Sequence, residues 1–384
     1  MDFIPYGRQN ISAEDIEAVV EALKSDFLTQ GPAVIRFEES VAKYCNVKYT
    51  FAVANATCAL HLAYLALDVG KGDVIWISPN TFLSTANAAL ICGADVDFVD
   101  ICSKTYNMSV DALEKKLIEA KTIGKLPKVV TPVHFAGQSC DMQRIYELSK
   151  EYDFAIVEDA AHAIGGRYID KPIGSCQYSD ITIFSFHPVK IITTAEGGML
   201  TTNCYKLAQK ISLLRTHGMT RDKSLMINEV EGPWYYEMID LGYNYRITDI
   251  QCALGLSQMS RLDEFVARRH VVMDKYKELM SDCKEVILPH QFEKSYSGLH
   301  LFPVVVPANK RRKVFEYLRD NGVGVNVHYI PVYLQPFYQK LGFKQGYCKN
   351  AESYYYGAIS LPMYPDLTCD QIKFICDKLR YVLK

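Results

Sequence analysis

Residues 154–166 read Phe154-Ala155-Ile156-Val157-Glu158-Asp159-Ala160-Ala161-His162-Ala163-Ile164-Gly165-Gly166. Four apolar residues run into two carboxylates and then into small residues, the pattern of a short buried parallel strand. In an open α/β sheet the carboxyl ends of such strands face the ligand crevice, so acid at this place is acid offered to a ligand. A second reading stays open, because an aspartate before Ala-Ala-His is also a good helix N-cap.

Apolar runs of the same kind recur on either side: Phe51 to Ala54, Val74 to Ile77, Val96 to Val99, Val129 to Pro132, Ile181 to Phe184 and Met199 to Thr201. They alternate with helical patterns, which predicts an α/β fold with a mostly parallel sheet covered on both faces. Ser12-Ala13-Glu14-Asp15 reads as a capping box that opens a helix running to about Lys24. Polar residues and then a helical pattern fill 242–256, and Met259 to Leu279 reads as a long helix leaving the large domain. A strand over 298–306 and a helix from Lys313 to Asn321 then imply a compact α+β unit. The expected division is a large domain over 1–255, including the N-terminal segment, and a small C-terminal domain over 256–384.

The chain has 384 residues, 49% hydrophobic and 22% charged, enough for two cores. A formal net charge of -2 gives no general attraction to nucleic acid or anionic membrane, and the run Lys310-Arg311-Arg312-Lys313 reads as the start of a solvated helix. The twelve cysteines contain no CxxC pair or His-Cys zinc pattern and read as reduced core residues of a cytosolic protein. The start, Met1-Asp2-Phe3-Ile4-Pro5-Tyr6-Gly7-Arg8, lacks a basic segment followed by an apolar one, and no apolar stretch reaches the length of about 18 residues that a membrane span needs. A cytoplasmic protein, free of metal, membrane and nucleic-acid partners, is expected.

A second informative stretch is Phe184-Ser185-Phe186-His187-Pro188-Val189-Lys190, followed by Thr193-Thr194-Ala195-Glu196-Gly197-Gly198. Lys190 lies between apolar neighbours and a glycine turn, where desolvation would lower its pKa and free the amine for Schiff-base chemistry. The alternative is a lysine snorkelling from a strand end. A carboxylate at one strand end and a lysine one or two strands later are the two protein groups that pyridoxal 5′-phosphate requires, one for the ring nitrogen and one for the aldehyde. Asn55-Ala56-Thr57-Cys58 stands between a strand and an Ala/Leu-rich helix, so its N–H groups and the Thr57 hydroxyl form a natural phosphate cradle, with a plain helix cap by Asn55 or Thr57 as the alternative.

These motifs, with Arg215-Thr216-His217-Gly218-Met219 and Gly242-Tyr243-Asn244-Tyr245-Arg246-Ile247-Thr248-Asp249, resemble the DegT/DnrJ/EryC1/StrS sugar aminotransferases along nearly the whole chain. The resemblance implies an aspartate-aminotransferase-like fold, fold type I, with pyridoxal 5′-phosphate carried by Lys190 and its ring nitrogen held by Asp159. It implies phosphate contacts from Thr57, Cys58 and Ser185, Phe82 stacked on the ring, and His162 near the ring hydroxyl where many relatives have glutamine. Asn244 would reach the phosphate from the neighbouring subunit, making a homodimer with shared active sites. Implied substrate contacts are Tyr6, the loop Asp26-Phe27-Leu28-Thr29, Asn55, and His328-Tyr329-Ile330-Pro331. Within the family, Thr194 to Gly198, His162 and Val327 to Tyr333 are most similar to enzymes of pseudaminic acid biosynthesis. Those enzymes aminate C4 of a UDP-linked 4-keto-6-deoxy-N-acetylhexosamine, here with L-glutamate as donor. An aminotransferase for another nucleotide-linked 4-keto or 3-keto sugar, and a non-catalytic binding or regulatory protein of the same fold, remain as alternatives. A sister branch that dehydrates sugars replaces the lysine by histidine, and Lys190 argues against it.

Overall fold

The computed structural model describes residues 2–384. Its centre is a seven-stranded sheet: β1 (Tyr49–Val53), β2 (Val74–Ile77), β3 (Asp95–Phe98), β4 (Val129–Thr131), β5 (Ala155–Asp159), β6 (Ile181–Ser185) and β7 (Gly198–Thr202). Every strand expected in this sheet is present, with its ends displaced by at most two residues. The order is β1-β7-β6-β5-β4-β2-β3. All neighbours are parallel except those of β7, which runs antiparallel to both β1 and β6. The carboxyl ends of the other six strands therefore share one edge, with the first residue of β7 among them. Every residue of β4, β6 and β7 is buried, as continuous apolar and Thr-rich runs require when helices cover both faces.

Helix α1 (Ala13–Lys24) opens with the expected capping box between Ser12 and Asp15. Helix α2 (Pro32–Cys45) is capped from a distance, because the Asp249 carboxylate accepts from Gly31 N at 2.7 Å and Ala33 N at 2.9 Å. Helix α3 (Ala56–Ala66) follows β1, and α4 (Ser84–Ile91) follows β2. Helix α5 (Asp249–Met259) starts at a Thr248–Gln251 capping box and packs on α1 and α2. Residue 255, the expected domain boundary, lies inside it.

A break at Ser260–Arg261 leads into α6 (Leu262–Met280), which joins a second core. That core packs α6, the antiparallel pair β8 (Phe302–Val305) and β9 (Ala358–Leu361), α7 (Arg311–Asp320) and the last helix, α8 (Cys369–Leu383). The N-terminal segment joins this core too: Ile4 is fully buried in it and bridges Val323. The strand expected over 298–306 is shorter, since residues 298–301 pair with a turn of the large sheet, through Gly298 N to Gly137 O at 3.0 Å and Leu301 N to Ala136 O at 3.4 Å. The cysteines are only partly core residues. Cys45, Cys140, Cys176, Cys252, Cys348 and Cys376 are buried, whereas Cys204 and Cys369 are exposed, and all twelve are free thiols. Among the described residues no helix is long and apolar enough to cross a membrane.

Candidate active site

A cavity of about 640 Å³ opens over the shared strand edge. Asn55 and Thr57 reach it from the end of β1, Thr81 and Phe82 from β2, Asp159 and His162 from β5, and Ser185 and Lys190 from β6. The second core closes it with Asn326, His328, Tyr329 and His300, and the N-terminal segment adds Tyr6.

Alternation along β5 separates its two carboxylates. Glu158 turns away from the cavity and forms a buried pair with His134 at 2.6 Å, with Thr182 donating at 3.0 Å. Burial opposes charge on His134, but its bonds to Cys140 and Glu158 hold it up at about 10. Asp159 points into the cavity and accepts from Thr85 Oγ1 at 2.6 Å and from Ala161 N at 3.1 Å. Burial pushes its pKa up despite these bonds and despite Lys190. A buried carboxylate held only by neutral donors lacks a cation.

Lys190 follows β6 on a turn closed by Lys190 N to His187 O at 2.9 Å. The residue is half-buried, yet protein surrounds its amine, and burial pushes the pKa down to about 8 against the opposing pull of Asp159. At pH 7 roughly a tenth of the amines are then neutral, far more than for an ordinary lysine, and the neutral amine is the nucleophile.

At the other end of the cavity the Asn55 side chain caps α3 by accepting from Cys58 N at 2.9 Å. The N–H groups of Ala56 and Thr57 have no protein acceptor among the described residues. Gly198, between Val53 and Ser185 in the sheet, makes room for this turn: a Cβ there would lie 2.6 Å from the Asn55 carbonyl and 2.8 Å from Ala56 N. Free amides at a helix N-terminus, beside the Ser185 hydroxyl, form an anion site.

Histidines dominate the remaining wall. His162 Nδ1 accepts from Ala136 N at 3.3 Å and Nε2 meets the Tyr329 hydroxyl at 3.1 Å. Burial, then Lys190 and His328, hold its pKa well below the usual value. A neutral ring whose Nδ1 accepts must carry its proton on Nε2. The His300 ring centre lies 4.4 Å from that of His162, tilted by 49°, with its own Nδ1 buried and unpartnered among the described residues. His328 bonds Ser360 Oγ at 2.8 Å and is held down at about 3 by burial and by Lys190. Phe82 is 59% exposed at the cavity rim, 6.5 Å from the Tyr329 ring, and so is not an ordinary core phenylalanine.

Of the residues expected from sequence, Lys190, Asp159, Thr57, Phe82, His162, Ser185, Tyr6, Asn55, His328 and Tyr329 line one cavity. Cys58 does not, and its N–H is taken by Asn55. Ile330 and Pro331 lie outside the lining, as do Asn244 and Asp26-Phe27-Leu28-Thr29, which are exposed. Thr85, Asn326 and His300 were not anticipated. Thr85 stands in an unremarkable Ser-Thr-Ala-Asn run, and His300 lay within the expected strand.

A pyridinium supplies the cation that Asp159 lacks, an aldehyde suits the Lys190 amine, and a phosphate suits the free α3 amides. The three groups on one small molecule are those of pyridoxal 5′-phosphate, and the residues present fit it. Fold and site define a pyridoxal phosphate aminotransferase of fold type I. The chain belongs to the DegT/DnrJ/EryC1/StrS aminotransferase family, whose profile matches residues 9–380. It is 39% identical to the UDP-4-amino-4,6-dideoxy-N-acetyl-beta-L-altrosamine transaminase of Campylobacter jejuni, over 99% of this chain and 98% of that one. Among solved structures it is similar to Helicobacter pylori PseC, an aminotransferase of pseudoaminic acid biosynthesis, with a TM-score of 0.91 and 30% identity over 100% of this chain and 99% of the other. A Streptococcus pneumoniae protein solved in its pyridoxamine phosphate form has a TM-score of 0.90 at 29% identity, over 99% of both chains. The enzyme is a nucleotide-sugar aminotransferase with pyridoxal phosphate as cofactor.

Proposed function

We propose that this enzyme transfers an amino group from L-glutamate to C4 of a UDP-linked 4-keto-6-deoxy-N-acetylhexosamine, a step toward pseudaminic acid. The observation that carries the chemistry is the single cavity shared by Lys190, Asp159 and the amino end of α3. The choice of sugar rests on similarity to the Campylobacter and Helicobacter enzymes.

When bound, the cofactor supplies an electron sink for the carbanion left as the donor loses its α-proton. Lys190 Nζ would hold the cofactor and, as a free amine, would carry the donor's α-proton as base and then acid. Asp159 keeps the proton on the ring nitrogen, and Thr85 holds the carboxylate in line. The Ala56 and Thr57 amides with the Ser185 hydroxyl bind the phosphate, and Phe82 covers the ring. Tyr6, Asn55, His328 and Tyr329 orient the sugar nucleotide.

Active sites shared across a homodimer complete the reading. Asn244 and the 26–29 loop are exposed, the bridge Thr29–Thr248 ties the loop to the segment that follows Asn244, and Phe27 and Leu28 expose apolar surface. The test of substrate is incubation with glutamate and a panel of UDP- and dTDP-linked 4-keto and 3-keto sugars, following 2-oxoglutarate. Fastest release with a UDP-linked 4-keto sugar is expected. Preference for a 3-keto or dTDP-linked sugar would replace the assignment.

A further inference from the structure

His162 has both ring nitrogens committed to protein. Ala136 N donates to Nδ1, which leaves the ring proton on Nε2, and that proton points to the Tyr329 oxygen. The Tyr329 oxygen thus receives a hydrogen bond and retains a proton of its own, for which no acceptor exists among the described residues. Tyr329 lines the cavity. The ring is held edge-on by Phe135 at 6.2 Å, and Asn80 Oδ1 accepts from Tyr329 N at 3.1 Å. Burial and the nearby Asp159 and Tyr6 raise the Tyr329 pKa, so it remains a donor.

We propose that His162 is a positioning residue rather than a ligand contact, and that it holds the Tyr329 hydroxyl as a hydrogen-bond donor to an oxygen acceptor in the cavity. The acceptor is an oxygen of the cofactor ring or of the sugar substrate. The inference rests on this cavity being the cofactor site, as proposed above. The titratable groups that act on His162 or Tyr329 are Lys190, Asp159, His300, His328 and Tyr6, and the cavity lining adds His187 and Glu196. Glutamine offers one acceptor and one donor and can reproduce the His162 bonds, whereas methionine offers neither.

The experiment compares holoenzymes carrying Tyr329→Phe, His162→Met, His162→Gln and the double variant Tyr329→Phe/His162→Met. One arm follows the visible absorbance of bound cofactor against pH without substrate, and the other measures kcat and KM. If the acceptor is a cofactor oxygen, Tyr329→Phe and His162→Met shift the absorbance midpoint by about one pH unit in the same direction. If it is a substrate oxygen, the spectra hold and kcat/KM falls on the order of tenfold, the worth of one such bond. In either case His162→Gln stays near wild type, and His162→Met adds nothing once Tyr329 is phenylalanine. The inference is overturned if His162→Met costs as much in the Tyr329→Phe background as in wild type, if Tyr329→Phe is normal in both arms, or if His162→Gln is as damaging as His162→Met. Tyr329→Phe keeps the ring and its packing, so its result stands even where His162→Met folds poorly. Borohydride reduction of the same preparations separates the two levels. Label on Lys190 with an additive cycle defeats this inference alone, and label on another lysine defeats the site assignment.

Discussion

Lys190 and Asp159 set each other's charge. The amine is driven down to about 8 by burial, and the carboxylate opposes that shift. Only the neutral amine carries the lone pair that adds to an aldehyde, so uptake of cofactor by the apoprotein should accelerate from pH 6 to about 9 and level off. An unperturbed lysine would still be accelerating at pH 10. Asp159→Asn removes the attraction that favours the ammonium, so the midpoint should move to lower pH; stopped-flow absorbance across the range tests both. In the loaded enzyme Asp159→Asn replaces an anionic partner of the ring nitrogen by a neutral one, and turnover should fall by about 10³-fold or more. A near-normal rate would return Asp159 to the role of a turn cap.

At the scale of elements, the wall holding His162 and His300 depends on one turn. Gly137 has φ +97°, and a Cβ there would lie 2.7 Å from Leu299 N, 2.9 Å from His162 O and 3.0 Å from His300 N. Those neighbours are backbone and cannot rotate aside. Gly137→Ala should cost about 1–3 kcal/mol in strain, seen as a lower urea midpoint, and should weaken cofactor binding because both histidines hang from the displaced backbone. Unchanged stability with unchanged cofactor affinity would show that the turn relaxes freely. The turn escaped the sequence reading because its partner, 298–301, lies some 160 positions away and reads locally as strand. Its Gly298 and Leu301 amides donate to the Gly137 and Ala136 carbonyls instead of to a neighbouring strand.

The whole molecule adds two constraints. Arg269 is 1% exposed and donates from Nη1 to Leu299 O at 3.1 Å and Met363 O at 3.0 Å, tying α6 to the segment that carries His300. Arg269→Met should lose about 3 kcal/mol, because it leaves buried carbonyls unpaired, and denaturant unfolding would reveal it. A loss under about 0.5 kcal/mol would mean that water or rearrangement replaces those bonds. The second constraint is Asn244, exposed and outside its own chain's cavity lining. If it serves a partner's cavity, mixing inactive Lys190→Ala and Asn244→Ala proteins places both lesions in one pocket of the hybrid and leaves the other intact. Activity near half of wild type per hybrid dimer is expected. Failure to recover any activity would confine Asn244 to its own chain, and a fully active Asn244→Ala protein would remove it from the site altogether.

The strands and the helix cap at Ser12 were legible along the chain because each depends on neighbours within a few residues, and Asp159 and Lys190 each stood out by their local setting although they follow different strands. Apolar runs bury themselves, hydroxyls cap amides three positions on, and a lysine among apolar residues declares its desolvation. The protonation of His162 was not legible, since it follows from Ala136 and Tyr329, brought to its two nitrogens by separate parts of the fold. Nor was the failure of Cys58 and Asn244 to line the cavity, or the arrival there of His300 and Asn326. Those outcomes depend on where distant backbone segments meet, and long-range packing leaves little trace in local pattern.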